Sequence, residues 1–424
     1  MIGGVTAGLF ALLALSLPVG VVLFLLGVGV DQFGSAFPLI RGLGQVVWSA
    51  MNSSLLIAIP FFILLGEVLV HAGVAERTYR ALNAWLSWLP GGLIHANIGT
   101  ATMFSATSGS SVATAATVAT VAMPQAEKLG YDQRLFAGSI AAGGTLGIMI
   151  PPSINLIVYG FLTETSIPRL FLAGLVPGLL LALGFIVLTA IICTLRPELG
   201  GPATKATWGE RLRGLTALGP IVVLFGAVVG SIYAGWATPT EAAALGVAMA
   251  FLIAAVQSGI RWGWVREALL GTVKVTAMLV FVIAAASFLN YCLAAAGLGR
   301  QLSAMLTGLE FGPLATLLVI VALYIVLGFF IETLSLMVAT IPIVVPIIAG
   351  FGYDTVWFGI LLILLIEMAL ITPPVGLNLY VVHGARKSGR LSDVMVGAFP
   401  YVLVMLAMAG LLIAVPGLAL WLPG

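Results

Sequence analysis

Long apolar stretches separated by short polar turns run through almost all of this 424-residue sequence. A stretch of about 18 or more apolar residues with few charges is long enough to cross a bilayer as a helix. The spans predicted in this way lie at 8–28, 48–71, 166–194, 214–235, 239–258, 272–295 and 391–422. Short amphipathic helices are predicted at 74–88 and 298–308, each directly after a pair of spans.

The turn residues of the first half recur in the second half at a nearly constant spacing. Gly130 is repeated at Gly352, and Pro151 is repeated at Pro373, in both cases 222 residues later. An internal repeat of this length indicates a duplicated structural unit. We therefore divide the chain into a first copy at 1–194, a cytoplasmic loop with a linker span at 195–238, and a second copy at 239–424.

Each copy contains one span that is interrupted by two consecutive prolines. The first reads GIMIPPSINLIVYG at 147–160, and the second reads ALITPPVGLNLYVV at 369–382. Proline has no N–H and disrupts the preceding turn, and a released carbonyl finds no water inside a bilayer. In transporters, irregular backbone at this depth lines a binding cavity. A single Pro-Pro kink tolerated by neighbouring helices is the structural alternative.

A second apolar stretch in each copy is interrupted in its middle by polar residues. The interruptions read SATSGSSVAT at 105–114 and GFFIETLS at 328–335. We interpret these stretches as re-entrant hairpins at about 92–126 and 312–350, each followed by the broken span, at about 134–162 and 355–385. The Ser-Gly-Ser-Ser run also suits close helix packing, which is the alternative interpretation.

The distribution of basic residues predicts how the two copies are oriented. If the hairpins do not cross, four spans and the linker span precede the second copy, which is then inverted. Thirteen Lys and Arg residues fall on one side, and only Arg41, Arg169 and Arg300 fall on the other. The positive-inside rule therefore places the N-terminus in the cytoplasm and the C-terminus outside. The fold class is an all-α polytopic membrane protein with two inverted repeats.

The composition excludes several classes of function. Hydrophobic residues make up 61% of the chain and charged residues 8%, whereas a soluble domain carries about 25% charged residues. There is no basic run for nucleic acid, no nucleotide-binding loop and no catalytic triad. The two cysteines lie in apolar stretches and give neither a disulfide framework nor a zinc signature. The first span has no basic flank typical of a cleaved signal peptide, so we expect it to be retained.

The few ionisable residues inside the predicted spans are candidates for function, because charge in a bilayer is costly. Glu332 lies at the tip of the second hairpin, where we expect it near a cation or a gate. Glu367 lies shortly before Pro373 and suits either a site residue or an interior acid with its own partners. Glu67 and Lys274 are expected to pair, and Glu241 is expected to cap a helix.

Five segments resemble the large membrane subunit of TRAP transporters, the DctM type. They are PFFILLGEVLVHAG, FSATSGSSVATAATV, AAGGTLGIMIPPSI, YAGWATPTEAAALG and ALITPPVGLNLYV, and the resemblance covers about residues 8–420. It implies a bacterial or archaeal inner-membrane protein that works with a small four-helix membrane subunit and an extracytoplasmic substrate-binding protein. It also implies sodium-coupled import of small organic acids, such as C4-dicarboxylates or sugar acids, by an elevator-type movement.

The resemblance places sodium and substrate where hairpin tips meet broken spans. Hydroxyl and carbonyl oxygens suit a hard cation such as sodium. The resulting candidates are Ser108, Gly109, Ser110, Ser111, Pro151, Pro152, Ser153, Asn155, Glu332, Thr333, Thr372, Pro373, Pro374, Gly376 and Asn378. The bulkier second tip predicts that the two cation sites differ.

Two other functions stay open on the sequence alone. A stand-alone sodium–dicarboxylate symporter has a similar plan, but such carriers show Ser-Asn-Thr at both tips, whereas Ser108-Gly109-Ser110 occurs here once. A channel or a purely structural membrane subunit is the other possibility. A channel needs a continuous polar stripe along a span, and the sequence has none.

Overall fold

The computed structural model of the protein describes residues 2–15, 17–34, 37–201, 206–297, 312–386 and 388–424. The side chains at positions 2, 3, 6, 10 and 105–108 lie outside this description. All regular secondary structure in the described residues is helical, which confirms the predicted all-α class. In that part of the chain, seven helices are long and apolar enough to cross a membrane, or eight if one bent pair is a single span.

The first two predicted spans are each divided into two helices. The four helices are α1 (Ile2–Ala14), α2 (Val19–Gly34), α3 (Leu43–Met51) and α4 (Ser54–His71). Pro18 directly precedes α2, where its missing N–H costs no helical hydrogen bond. Ser53 has extended backbone dihedrals and separates α3 from α4. The prediction of one uninterrupted span at about 8–28 is therefore wrong, whereas the span predicted at about 48–71 is present as α4, which begins at Ser54.

The predicted amphipathic helix of the first copy is present as α5 (Val74–Leu86). Gly73 adopts a left-handed conformation with φ of 68°, which turns the chain from α4 into α5. The counterpart predicted at 298–308 lies outside the described residues.

The remaining helices of the first copy form the hairpin, the broken span and the closing span. They are α6 (Leu93–Ser108), α7 (Ser111–Leu129), α8 (Gln133–Met149), α9 (Ile154–Thr163) and α10 (Ile167–Leu195). The helices α8 and α9 are bent by 41° at the Pro-Pro break. Both Pro-Pro peptide bonds, Pro151–Pro152 and Pro373–Pro374, are cis.

Three helices follow before the second hairpin, and they include the predicted linker span. They are α11 (Trp208–Tyr233), α12 (Pro239–Gln257) and α13 (Trp262–Ala295). Thr238 and Glu241 form a capping box at the start of α12 and so confirm the predicted cap. Glu67 Oε2 lies 4.0 Å from Nε2 of His71 on the same helix, and the Glu67 carboxylate lies against Gly271. Lys274 is exposed. The predicted pairing of Glu67 with Lys274 is therefore wrong.

The second copy continues with a hairpin, a broken span and a closing span in the same order as the first. Numbered through the described residues, these helices are α14 (Pro313–Gly328), α15 (Thr333–Gly350), α16 (Thr355–Ala369), α17 (Leu377–Gly384), α18 (Leu391–Ala414) and α19 (Gly417–Leu420).

The repeated Gly-Tyr-Asp sequence is a turn between hairpin and broken span. Gly130 and Gly352 have φ of 70° and 82°, a region that glycine enters without steric cost. Asp132 accepts hydrogen bonds from the first free N–H groups of α8, and Asp354 does the same for α16. The motif recurs because both copies need the same turn and the same helix cap.

The helices of each broken span pack on helices of the opposite half. The second part of each broken span packs on the second arm of the opposite hairpin, as α9 on α15 and α17 on α7. The first part of each packs on the closing span of the opposite half, as α8 on α18 and α16 on α10. From residue 135 to 149 and from 356 to 369, every residue is buried. The broken spans are therefore the core of the molecule.

The closest of these contacts joins α8 and α18 backbone to backbone. A Cβ atom built on Gly138 would lie 2.0 Å from the carbonyl carbon of Gly397. A Cβ atom on Gly397 would lie 1.8 Å from the Arg134 carbonyl oxygen. Only glycine permits such an approach, as in other membrane helix pairs with small residues at the crossing.

A second group of helices packs beside this core. The helices α2 and α4 pack on α13, α12 packs on α4, and α11 joins α12 to α5. The helix α5 also contacts α6 and α7 of the first hairpin. The amphipathic helix thus lies between the two groups.

Candidate functional site

The tip of the first hairpin is seated on the first Pro-Pro break. Gly109 turns the chain between α6 and α7 with φ of 59°. A Cβ atom there would lie 3.5 Å from the Pro152 carbonyl oxygen and 3.3 Å from the Ile154 side chain. On the other side of the break, a Cβ atom on Gly147 would lie 3.2 Å from the Ser110 carbonyl. The tip therefore contacts both ends of the interrupted span.

Serine caps start two helices at this point. Ser110 Oγ accepts a hydrogen bond from the Ala113 N–H at 3.3 Å, at the beginning of α7. Ser153 Oγ accepts one from the Leu156 N–H at 3.3 Å, at the beginning of α9. The Ser-Gly-Ser-Ser run is thus a tight turn followed by a helix start. Two helix N-termini, each with a partial positive charge, lie beside the break.

A hydrogen bond joins this tip to the opposite half of the protein. Ser111, the first residue of α7, donates its hydroxyl to the carboxylate of Glu367 on α16. The Glu367 side chain is completely buried. Its second oxygen, Oε1, has no hydrogen-bond partner among the described residues. The structure therefore places Glu367 at the candidate site, where the sequence left its role open.

Asn378 brings a second polar group from the opposite half to the same place. Its Nδ2 donates to the Ala141 carbonyl oxygen of α8 at 3.2 Å, and its Oδ1 has no partner within the described chain. A Cβ atom on Gly144 would lie 2.9 Å from Asn378 Nδ2 and 3.0 Å from the Ser111 carbonyl oxygen. Glycine at 144 is what allows these groups to approach α8.

Ser111, Glu367 and Asn378 thus form one buried polar cluster, which we call the inter-repeat cluster. It contains a carboxylate oxygen and an amide oxygen that find no donor in the described residues. An unsatisfied buried polar group costs about 1–3 kcal/mol. Two acceptors without donors in one cluster fit a positively charged or protonated partner. Asn155, at the repeat position of Asn378, is also buried, and its Nδ2 has no described partner.

The candidates in the second copy form a different arrangement. Glu332 caps α15, accepting the Leu334 and Ser335 N–H groups at 3.1 and 2.9 Å, and Thr333 Oγ1 donates to it at 3.0 Å. Glu332 is exposed. Thr372, which follows the end of α16, donates its Oγ1 hydroxyl to the Met368 carbonyl oxygen of that helix at 2.7 Å.

The second break itself is also more open than the first. Pro373 and Pro374 are exposed, whereas Pro151 and Pro152 are buried. Gly376 is buried and left-handed, with φ of 52°, and starts α17. The two breaks are therefore unequal in their surroundings.

The structure brings together only part of the predicted residue set. Gly109, Ser110, Ser111, Pro152 and Ser153 lie at one junction, which Asn378 joins from the other half. Glu332, Thr333, Thr372, Pro373, Pro374 and Gly376 lie at the second hairpin tip and the second break. The Ser108 side chain lies outside the described residues.

Sequence reasoning left Glu367 out of the candidate set, and it did not single out Gly144. An acid inside an apolar span was the available signal for Glu367. Its contact with Ser111 joins residues 256 positions apart, so no local pattern could predict it.

Two broken spans whose ends meet buried oxygen atoms are typical of membrane transporters with a binding site inside the bilayer. More specifically, the chain belongs to the DctM component family of tripartite ATP-independent periplasmic transporters, whose sequence profile matches residues 6–418. This confirms the predicted resemblance. The protein is a transporter component and not an enzyme.

Individual relatives differ in the substrate for which they are named. The chain is 35% identical to the C4-dicarboxylate TRAP transporter large permease protein DctM of Pseudomonas aeruginosa, over 91% of this chain and 90% of that protein. It is 31% identical to the sialic acid TRAP transporter large permease protein SiaM of Vibrio cholerae, over 89% and 88%. It is 29% identical to the 2,3-diketo-L-gulonate TRAP transporter large permease protein YiaN of Escherichia coli, over 96% and 95%.

A solved structure shares the fold. The crystal structure of the YdaH transporter of Alcanivorax borkumensis aligns with a TM-score of 0.55 and 16% sequence identity, over 88% of this chain and 89% of that chain. At this identity the likeness concerns the fold alone.

Proposed function

We propose that the protein imports a small organic acid together with sodium ions, as the large membrane subunit of a tripartite system. Its partners are a small four-helix membrane subunit and an extracytoplasmic binding protein that delivers the substrate. It lies in the inner membrane of a bacterium or archaeon, with the N-terminus in the cytoplasm and the C-terminus outside. The observation that carries the proposal is the inter-repeat cluster beside the hairpin tip.

The cluster has the chemistry of a sodium site. Hard cations take oxygen ligands from carboxylates, amides, hydroxyls and carbonyls. Glu367 and Asn378 each have a side-chain oxygen without a described donor. The helix α8 ends at Met149, which releases the last carbonyl groups of its final turn from helical pairing. Sodium at this point would satisfy the acceptors and connect the two halves.

The organic acid carries negative charge and fits a different part of the same junction. The N-termini of α7 and α9 are capped by the neutral serines Ser110 and Ser153. Free N–H groups at a helix start bind anions. By contrast, α15 is capped by the acid Glu332, which repels a carboxylate. We therefore place the substrate carboxylate at the first hairpin.

The relatives support an organic acid as the substrate. C4-dicarboxylates, sialic acid and 2,3-diketo-L-gulonate, after which the relatives are named, are all carboxylates. Their remaining chemistry differs widely, so a carboxylate is the shared feature that this subunit would recognise. Which acid this chain carries then depends largely on the binding protein.

The grouping of the helices fits an elevator movement. The site lies within the helices α6–α9 and α14–α18, and the helices α2, α4 and α11–α13 pack beside them. The group that holds the site would slide against the other group and carry substrate and sodium across the membrane. The exposed second break lies on the moving group.

Uptake by proteoliposomes tests this function. The chain with the small subunit and the binding protein should take up a radiolabelled C4-dicarboxylate, sialic acid or sugar acid when sodium is higher outside. Replacing sodium by potassium should abolish that uptake. Strong uptake by the lone chain would instead support a stand-alone symporter, and uptake without sodium would contradict the coupling.

A further inference from the structure

Three arginines line a cavity of about 690 Å³ between α5 and the first turns of α11. Arg77 and Arg80 come from α5, and Arg213 comes from α11. The two helices cross closely: a Cβ atom on Gly214 would lie only 3.3 Å from the Cα atom of Ala81. The crossing forms the floor of the cavity and fixes the arginines around it.

The positive charge of this cavity is not balanced by acids in its lining. Among the described residues that line it, Glu210 is the one acid, and its carboxylate accepts hydrogen bonds from the Thr207 N–H at 2.7 Å and the Thr207 hydroxyl at 2.9 Å. Arg80 pairs with Glu76 on the exposed side of α5. Within the described chain, the Arg213 guanidinium forms no hydrogen bond or ion pair. Three arginines against Glu210 and the Glu76 that pairs with Arg80 leave an excess of about one positive charge.

An unpaired amide adds to this polar lining. Asn83 lines the same cavity, and its side-chain oxygen is buried without a partner in the described residues. The oxygen and nitrogen of an amide exchange places by a simple flip. Asn83 can therefore turn a donor toward an anion in the cavity.

The position of α11 places the cavity at the membrane surface. The helix has 26 residues, about 39 Å at 1.5 Å per residue, whereas the hydrocarbon core is about 30 Å thick. If the 20 residues up to Tyr233 fill the core, Trp208–Arg213 reaches the headgroup layer. Trp208 is 70% exposed, as expected of a tryptophan at the membrane interface. The Arg211 guanidinium carbon lies 5.1 Å from the centroid of its ring.

The outer side of the same helix end is apolar and faces away from the protein. Leu212 and Leu215 are 60% and 48% exposed, on either side of Arg213 in the sequence. Acyl chains can cover these leucines while a headgroup reaches the arginines. The cavity therefore combines the two kinds of surface that a phospholipid requires.

We propose that this cavity binds the phosphate headgroup of an anionic phospholipid. Guanidinium groups bind phosphate oxygens in pairs of hydrogen bonds, and basic pockets between membrane helices hold such headgroups. The lipid connects α5 to α11. Since α5 also contacts α6 and α7, the lipid supports the helix on which the first hairpin rests.

Lipid binding to the purified full chain in detergent tests the proposal. Native mass spectrometry would follow titrations with phosphatidylglycerol and with phosphatidylcholine. We expect one phosphatidylglycerol to bind in clear preference. The double variant R80Q/R213Q should bind it at least about 10-fold more weakly, which corresponds to about 1.4 kcal/mol. Arg77 is kept because it holds α5 to the end of α12 through Gln257.

Matched variants separate this site from general charge effects. R266Q removes an exposed arginine of α13 outside the cavity lining and should bind lipid like the unmodified chain. R80K/R213K keeps the charge and should restore part of the affinity. R213Q alone removes no hydrogen bond of the guanidinium among the described residues and only a weak attraction to the exposed Glu210, so its folding should be normal.

Several results would overturn the proposal. Equal affinity for the two lipids would do so, and so would unchanged binding by R80Q/R213Q. Displacement of the lipid by an equal concentration of inorganic phosphate would assign the cavity to a free anion. Loss of small-subunit binding with unchanged lipid affinity would assign it to a protein partner.

Discussion

At the scale of single residues, the most consequential contact is that between Ser111 and Glu367. The Glu367 side chain is completely buried, and one of its carboxylate oxygens accepts the Ser111 hydroxyl. The other oxygen has no partner among the described residues. Such an acid in the middle of a membrane protein is costly and rarely serves packing alone. The contact also joins the first hairpin to the opposite broken span, so a ligand there would act on both halves.

Glu367→Gln separates charge from shape at this position. Glutamine can still accept the Ser111 hydroxyl, but a sodium ion would lose its charged ligand. Loss of one buried polar partner is worth about 1–3 kcal/mol, or about 5- to 150-fold in affinity. We expect the sodium concentration for half-maximal uptake to rise by that factor, measured in proteoliposomes and normalised to protein content.

Glu127→Gln is the matched control, because Glu127 is an exposed acid on α7. Its sodium dependence should equal that of the unmodified chain. If Glu367→Gln lowers the amount of folded protein but leaves the sodium curve unchanged, Glu367 has a structural role and the sodium site lies elsewhere.

At the scale of helices, glycine decides how closely the two halves approach. The crossing of α8 and α18 at Gly138 and Gly397 has no room for a Cβ atom on either side. Because α8 is the first part of a broken span, this crossing also fixes the position of the inter-repeat cluster. The close contact gives dispersion energy that larger residues at the crossing would forfeit.

Gly397→Ala should therefore destabilise the protein, although alanine is the better helix former. The added methyl group would lie 1.8 Å from the Arg134 carbonyl oxygen, and overpacking of this kind costs about 1–3 kcal/mol. Gly410→Ala on the same helix meets no atom within 4 Å and should be neutral or slightly stabilising. Thermal unfolding in detergent compares the two variants. Equal unfolding midpoints would show that α8 and α18 separate easily.

At the scale of the whole molecule, the reciprocal packing of the two halves fits a duplicated unit. Each broken span packs both on helices of its own copy and on helices of the other copy, so the two copies share one core. The orientation of the halves in a bilayer remains a prediction from the basic residues. It places 13 Lys and Arg residues in the cytoplasm and three outside.

Cysteine labelling in intact cells tests that orientation. A cysteine at Arg169 should react with a membrane-impermeant maleimide added outside, and a cysteine at Glu198 should react only after the cells are opened. Both positions are exposed, whereas the native Cys193 and Cys292 are buried and should give little background. Labelling of both positions from outside would exclude the predicted inverted arrangement.

Much of the architecture could be predicted from local sequence patterns. Apolar length predicts membrane helices because the bilayer has a fixed thickness. Proline and glycine predict breaks and turns because they change backbone geometry within one or two residues. Helices accordingly end at the predicted polar interruptions and at both Pro-Pro pairs, and the Thr238–Glu241 cap is present. The division of the first two spans was not predicted, because apolar length was weighed above the local breaks at Pro18 and at Asn52-Ser53-Ser54.

By itself, the sequence determined the class of protein, the duplicated plan and the residues at the two breaks, because each depends on neighbours along the chain. Only the tertiary structure decided which of those residues meet. The Ser111–Glu367 and Asn378–Ala141 contacts join residues 256 and 237 positions apart. The burial of one break and the exposure of the other depend in the same way on packing between distant helices, which no local pattern records.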